Sequence, residues 1–165
     1  IDLLENREDI NLPTPLEQLS EEKLYGYEGV FISGGYGAIE DLSSNLEIAR
    51  ILKHFHNNNK PTAVISHGAC ALLTQKSSDD WLYKDYDITC YPKKDDKKNE
   101  KAILGGNLKF YLADVLKEKG AKIKHSKSTT FIIKDRELIS GQYPESISIL
   151  SDTFMKSLNA YIDNR

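Results

Sequence analysis

Apolar residues along the chain fall into short continuous runs and longer stretches with helical spacing. The runs YEGVFIS (27–33) and TAVIS (62–66) are typical of strands that are buried on both faces of a parallel sheet. Between them, apolar residues recur from 46 to 55 with the three- and four-residue spacing of an amphipathic helix. A strand, a helix and a second strand in this order predict a right-handed crossover that makes the two strands parallel neighbours.

The rest of the chain predicts further helices and strands. Helices are expected at 16–24, 107–119 and 145–162, and strands at 86–91, 129–134 and 137–141. The last two strands would form a hairpin around Asp135 and Arg136, whereas the charge run KKDDKKNEK (93–101) is predicted to be a solvated loop. The order of these elements favours a single α/β domain over 1–165, with a mostly parallel sheet in a three-layer sandwich.

Composition and charge narrow the class of protein. Apolar residues make up 39% of the chain and charged residues 28%, and no stretch approaches the run of about 18 apolar residues that a membrane span needs. The net charge is -3 and the lysines are interleaved with acids, so neither nucleic acid nor a membrane is an expected partner. Cys70 and Cys90 provide no disulfide framework, which favours a reducing compartment such as the cytoplasm. His54 and His56 would diverge on the predicted helix, so no metal site is expected.

The carboxyl ends of the first two predicted strands carry the candidate chemistry. Gly34 and Gly35 follow the first strand, Ser66 follows the second, and ligands of parallel sheets bind beyond such ends. The glycines would let backbone N–H groups point into the crevice and hold a developing oxyanion. Ser66 would project from a turn that opens a helix, where the helix N-terminus favours negative charge.

These residues also have a purely structural interpretation. The two glycines suit an ordinary turn, Ser66 suits a helix N-cap, and His67 suits a packed or hydrogen-bonded position. The hydrolase elbow pattern G-x-S-x-G is not satisfied, because position 64 is valine. Spacing alone therefore leaves both interpretations open.

Several ordered motifs resemble the ThiJ/PfpI superfamily of DJ-1-like proteins. YEGVFISGGYGAIEDL and KPTAVISHGACALL are similar to the superfamily's strand with PGGHG and an acidic-Leu turn, and to its strand that ends in CHG. GGNLKFYLADVLKEKGAKI and RELISGQYPESISIL resemble its later helix and its (I/V)TGQNP segment, so the similarity covers roughly residues 25–160. The long loop around 91–96 is most similar to the branch that includes heat-shock chaperones and glyoxalase III enzymes that need no cofactor.

The resemblance implies a flavodoxin-like domain that is related to class I glutamine amidotransferases and is usually dimeric. In the family, position 66 is the cysteine nucleophile, and the histidine that matches His67 pairs in this branch with an acid that matches Asp96. The resemblance therefore implies catalytic roles for Ser66, His67 and Asp96, without a cofactor or a metal.

The resemblance also implies an oxyanion and substrate-binding site, which would consist of Gly34, Gly35, Tyr36 and Gly68. Backbone amides at Gly35 and at His67 or Gly68 would bind the oxyanion. Tyr36 stands where the family pattern has a histidine.

The serine at position 66 is the main departure from the pattern. A hydroxyl is a far weaker nucleophile than a thiol, and Cys70, one helical turn further on, is expected to pack inside the protein. We therefore expect a glyoxalase III-like or hydrolase-like protein with impaired catalysis and a small carbonyl or acyl substrate. The alternative is a non-catalytic chaperone-like or stress-response binding protein, and a serine hydrolase is the third candidate.

The start of the chain is the second departure. Family members place a strand-helix-strand unit before this point, with a glutamate that hydrogen-bonds the nucleophile, and residues 1–24 do not supply both. The chain begins at Ile1, and its one methionine is Met155. We therefore expect an N-terminally incomplete domain in this chain, with a homodimer partner or a separate N-terminal segment that completes the fold.

Overall fold

The main sheet has four strands in the structure, a computed structural model that describes residues 12–74 and 81–164. These strands are β1 (Val30–Ile32), β2 (Thr62–Ile65), β5 (Ile132–Asp135) and β6 (Leu138–Gly141), and they lie in the order β1-β2-β6-β5. β2 pairs in parallel with β1 and with β6, whereas β5 is antiparallel to β6. A second, two-stranded parallel sheet joins β3 (Asp87–Ile88) to β4 (Lys122–Ile123).

Helices surround the main sheet. The α-helices are α1 (Glu21–Tyr25), α2 (Gly37–Asp41), α3 (Leu46–Asn57), α4 (Lys93–Asn99), α5 (Leu112–Glu118) and α6 (Ile147–Asp163). Short 3-10 helices occur at Leu16–Gln18, Leu42–Ser44, Ser66–Thr74 and Pro144–Ser146, and a π-helix follows α4 at Glu100–Leu104. No helix among the residues described is both long and apolar enough to cross a lipid bilayer.

The central strand β2 is buried on both faces, which explains its unbroken apolar sequence. Ala63 points to the layer that contains Phe154 of α6, and Val64 points to the layer that contains Leu52 of α3. Adjacent strand residues face opposite sides of a sheet, so these contacts place helices on both faces. The predicted α/β fold with a mostly parallel sheet is confirmed.

The predicted parallel pairing of the first two strands, with a helix between them, is also confirmed. Phe31 lies beside Ala63 in the parallel pair of β1 and β2, and α3 connects the two strands. Asn45 begins α3 as its N-cap, because its side chain accepts hydrogen bonds from the backbone N–H groups of Glu47 and Ile48. The expected hairpin around Asp135 and the long closing helix are present as well.

The prediction of a solvated loop at 93–101 is wrong. These residues form α4 and the start of the π-helix, and Asp96 and Glu100 are buried. Acids in the first turn of α4 and lysines in its last turn suit the helix dipole, so the charge run is compatible with a helix.

Several predicted boundaries also differ from the structure. The single helix expected at 16–24 is divided into the 3-10 helix Leu16–Gln18 and α1, and the strand expected at 129–134 begins only at Ile132. The helix expected at 107–119 begins only at Leu112, because Glu100 holds the preceding segment by accepting hydrogen bonds from the backbone of Leu108 and the hydroxyl of Tyr111. The strand expected at 86–91 is limited to β3, since the next N–H group, that of Thr89, donates to the hydroxyl of Ser140.

Candidate functional site

Ser66 lies at a sharp turn directly after β2. Its φ angle is 57°, in the left-handed region that few residues other than glycine adopt, and the 3-10 helix Ser66–Thr74 begins at this residue. A serine in a strained conformation between a strand and a helix is typical of a nucleophile elbow. The turn has this geometry although the G-x-S-x-G pattern is absent.

Two glycines leave room for the turn. A Cβ atom on Gly34 would lie 2.4 Å from the carbonyl oxygen of Ile65, and a Cβ atom on Gly68 would lie 2.7 Å from the carbonyl oxygen of Ile32. Both distances are far shorter than any carbon–oxygen contact, so only glycine fits at either position. The loop after β1 therefore packs backbone to backbone against the turn at Ser66.

His67 and Asp96 form a buried pair. The Nε2 atom of His67 lies 2.9 Å from Oδ1 of Asp96, and the two residues are 2% and 0% exposed. The same Oδ1 atom accepts a hydrogen bond of 3.2 Å from the hydroxyl of Tyr36. The imidazole edge is therefore held by a carboxylate, as in catalytic histidine–acid pairs.

Two tyrosine rings contact the His67 imidazole. The ring centroid of Tyr36 is 4.5 Å from that of His67, and the centroid of Tyr91, which stacks on the imidazole, is 4.7 Å away. Burial raises the pKa of Tyr36 to about 12, and it also raises the pKa of Tyr91. Both hydroxyls therefore stay protonated at neutral pH.

A cavity of about 530 Å³ opens beside the turn. Its volume is within the range of small-molecule sites. It is lined by Ser33, Gly34, Gly35, Tyr36, Ile65, Ser66, His67, Tyr91, Pro144 and Ile147. Within the described part of the chain, no lysine, arginine, aspartate or glutamate lines this cavity.

The structure brings the candidate site residues together. Gly34, Gly35, Tyr36, Ser66 and His67 line the same cavity. The two remaining candidates do not reach it: the carboxylate of Asp96 contacts His67 from behind, and Gly68 packs against the loop after β1.

Sequence reasoning missed Asn99, whose side-chain amide donates hydrogen bonds to the hydroxyls of Tyr36 and Tyr91. A signal was present, because Asp96, Asn99 and Glu100 have the spacing of one helix face. The surrounding lysines hid it.

The other titratable candidates lie elsewhere. His54 and His56 pair separately with Glu21 and Glu137, at 3.4 and 2.7 Å. Among residues 12–74 and 81–164, no group of three His, Cys, Asp or Glu side chains is placed to hold a metal ion. Cys70 is buried as expected, and burial raises the pKa of its thiol to about 12.

Comparisons with known proteins agree with this architecture. The sequence model of the DJ-1/PfpI family matches residues 7–156. The chain is 30% identical over 139 residues to the glutamine amidotransferase-like class 1 domain-containing protein 1 of Bos taurus, and the match covers 81% of this chain and 59% of that protein. It is also 30% identical over 125 residues to the protein/nucleic acid deglycase HchA of Escherichia coli O7:K1, with coverage of 75% and 44%. The chain thus spans less than two thirds of the length of these relatives.

Solved structures show the same fold. The rapid encystment protein 24 kDa of Francisella tularensis superimposes with a TM-score of 0.80 at 21% identity, over 95% of this chain and 70% of that one. The glyoxalase III of Candida albicans superimposes with a TM-score of 0.72 at 17% identity, over 86% of this chain and 60% of that one.

Proposed function

The chain belongs to the DJ-1/PfpI family, and we propose from that premise that its cavity binds a small carbonyl or acyl compound against Ser66, at the position of the family's cysteine nucleophile. The left-handed φ angle of Ser66 is the observation that carries the proposal, because it sets the hydroxyl on a strained turn at the cavity. His67 follows Ser66 directly and would act as the base, and its contact with the buried carboxylate of Asp96 would hold the imidazole in place.

The proposed chemistry begins with addition of the residue-66 side chain to the carbonyl carbon of the ligand. The proton that leaves the nucleophile would pass to His67, whose Nδ1 atom is the acceptor because Nε2 faces Asp96. The negative charge that develops on the carbonyl oxygen would be stabilised by backbone N–H groups at Gly35 and at His67 or Gly68.

We propose that catalysis at this site is impaired. The hydroxyl of Ser66 is un-ionised at neutral pH, so the reaction would depend on proton removal in the transition state, whereas a thiol is already partly ionised. Cys70 cannot replace the missing thiol, because it is buried and burial raises its pKa to about 12.

The test compares the natural protein with its Ser66→Cys and Ser66→Ala variants, assayed for loss of methylglyoxal and for cleavage of model acyl esters. We expect the natural protein to resemble Ser66→Ala and the thiol variant to gain at least about tenfold. A matched control is Ser33→Cys, since Ser33 is a second serine of the same cavity that lies outside the turn. That variant should gain nothing.

Other results would overturn the proposal. If the natural protein turns over a substrate briskly and Ser66→Ala abolishes that activity, Ser66 is a working serine nucleophile and the protein is a serine hydrolase. If the thiol variant is as inactive as Ser66→Ala on all substrates, the alternative of a chaperone-like or stress-response binding protein is favoured.

We also propose that a homodimer partner, or a separate N-terminal segment, covers the outer edge of β1. Among the described residues β1 pairs with β2 alone, and an apolar groove of about 580 Å³ runs beside it. An uncovered strand edge next to apolar surface favours association. Sedimentation of the purified protein tests this proposal, and a stable monomer of these 165 residues alone would contradict it.

A further inference from the structure

The side-chain amide of Asn99 contacts two tyrosines of the candidate site. Its nitrogen lies 2.9 Å from the hydroxyl oxygen of Tyr36 and 3.0 Å from that of Tyr91. An asparagine amide carries two hydrogens, so it can donate to both hydroxyls at the same time. Asn99 is the last residue of α4, where the chain passes into the π-helix, and such local widening of a helix is frequent at functional sites.

Both tyrosine rings contact His67. Tyr91 stacks on one face of the imidazole with an interplanar angle of 30°, and the ring of Tyr36 lies against it at 38°. Because the hydroxyl oxygen of Tyr36 accepts a hydrogen bond from Asn99, its own hydrogen is directed toward Oδ1 of Asp96. One amide therefore orients both rings and one of the hydroxyl hydrogens.

The Asp96 carboxylate has few other contacts. Its Oδ2 atom is buried and has no hydrogen-bond partner among the described residues. Its hydrogen bonds within the described part of the chain are therefore those of Oδ1 with His67 and Tyr36.

We propose that Asn99 is a positioning residue, which acts through the hydroxyls of Tyr36 and Tyr91 to hold His67 in the orientation that the residue-66 nucleophile needs. This role rests on the proposed function of the site. Asn99 itself does not line the cavity, so it acts on the reaction only through the two phenols.

The first test uses the Ser66→Cys protein, in which alkylation of the new thiol by iodoacetamide reports on its activation by His67. We expect Asn99→Leu to slow this alkylation at neutral pH by about tenfold, because two hydrogen bonds that orient the site are lost. Lys98→Leu is the matched control, since Lys98 is the exposed neighbour on the same helix. It should leave the rate unchanged.

The second test asks whether Asn99 acts through the tyrosines. In a Tyr36→Phe, Tyr91→Phe background the rings remain but the hydroxyls are gone, so adding Asn99→Leu should have no further effect on the rate. A full effect of Asn99→Leu in that background would overturn the proposal. If Asn99→Leu fails to fold, Tyr91→Phe alone still tests it, because that variant should slow alkylation while stacking is kept.

A spectroscopic readout separates positioning from general destabilisation. With ¹⁵N-labelled histidine, the natural protein should show one set of ring signals for His67 with a proton on Nε2, which faces Asp96, and Asn99→Leu should broaden or shift these signals. The signals of His54, His56 and His125 should not move. Unchanged His67 signals and an unchanged alkylation rate would refute the role of Asn99. Neither measurement needs carbonyl turnover, so a failure of the proposed function would be recognised separately by the methylglyoxal and ester assays.

Discussion

The carboxylate of Asp96 lies 2.9 Å from the imidazole of His67, and the two residues are separated by 29 positions in the sequence. His67 comes from the turn after the central strand β2, whereas Asp96 comes from α4, on a different part of the chain. Both are almost fully buried. A buried carboxylate next to a buried imidazole makes the pair sensitive to the loss of either partner.

Asp96→Asn should therefore affect both stability and the site. We expect it to lower the free energy of unfolding by about 3 kcal/mol, because it removes one member of a buried pair. In the Ser66→Cys protein it should also lower any turnover by about a hundredfold or more, since His67 loses the group that orients it. Urea unfolding and initial rates measure the two effects.

Asp95→Asn is the control for this change. Asp95 is the preceding residue on α4, is only partly buried, and accepts a hydrogen bond from the hydroxyl of Tyr143. Its replacement should have clearly smaller effects. Equal losses from the two variants would show that the pair with His67 has no special importance.

Gly34→Ala should displace the turn at Ser66. The added methyl group would lie 2.4 Å from the carbonyl oxygen of Ile65, and backbone atoms on both sides must move to relieve this contact. We expect the free energy of unfolding to fall by about 2 kcal/mol or more. Gly37→Ala should be neutral or slightly stabilising, because nothing lies within 4 Å of the added carbon and Gly37 is helical. If urea midpoints fall equally for both variants, close packing at Gly34 is not the cause.

The sequence was informative where the fold depends on continuous local patterns. The apolar runs and the crossover rule place Gly35 and Ser66 at neighbouring strand ends, and both residues line one cavity. The left-handed conformation of Ser66 could not be predicted in the same way. It depends on the space that Gly34 and Gly68 leave for a backbone-to-backbone contact, and that contact joins residues far apart in the sequence.

The charge run at 93–101 shows why part of the site was missed. Lysines outnumber the other residues in this segment, and a segment whose average polarity is high is expected to be exposed to solvent. The structure buries only Asp96 and Glu100 fully and turns Asn99 toward two tyrosines. Those partners come from other segments of the chain, so no local pattern identifies them.

His125 should make stability depend on pH. His125 is exposed at the surface, but the protein around its ring partly desolvates it, and this lowers the pKa of His125 from 6.5; the charge of Lys94 lowers it further. The unfolded chain binds a proton at His125 more readily than the folded protein does. The stability that the neutral imidazole contributes is therefore fully present above the pKa of the unfolded state, and it is lost as the pH falls through the pKa of the folded state. The free energy of unfolding should thus decrease slightly between about pH 7 and pH 5, because solvent screens an exposed group.

His125→Asn should make this pH dependence shallower. Urea unfolding of the natural protein and of the variant is measured at several pH values. The free energy of unfolding of one is subtracted from that of the other at each pH, so that the contributions of the other titrating groups cancel. Parallel curves for the two proteins would rule out His125 as the source of the dependence.

The two native cysteines should be unreactive in the folded protein. Cys70 and Cys90 are both 0% exposed, and burial is the main reason that the pKa of each thiol is raised, to about 12 for Cys70. At about pH 8 very few Cys70 thiols would therefore be ionised, and the thiolate is the reactive form. After iodoacetamide treatment, mass spectrometry should therefore find no modified cysteine in the folded natural protein and two in the natural protein unfolded in concentrated urea. The folded Ser66→Cys variant should have one modified cysteine, at position 66. Rapid alkylation of Cys70 or Cys90 in the folded natural protein would mean that the core around the turn opens readily, and the turn at Ser66 would then lack the rigid support that a nucleophile position requires.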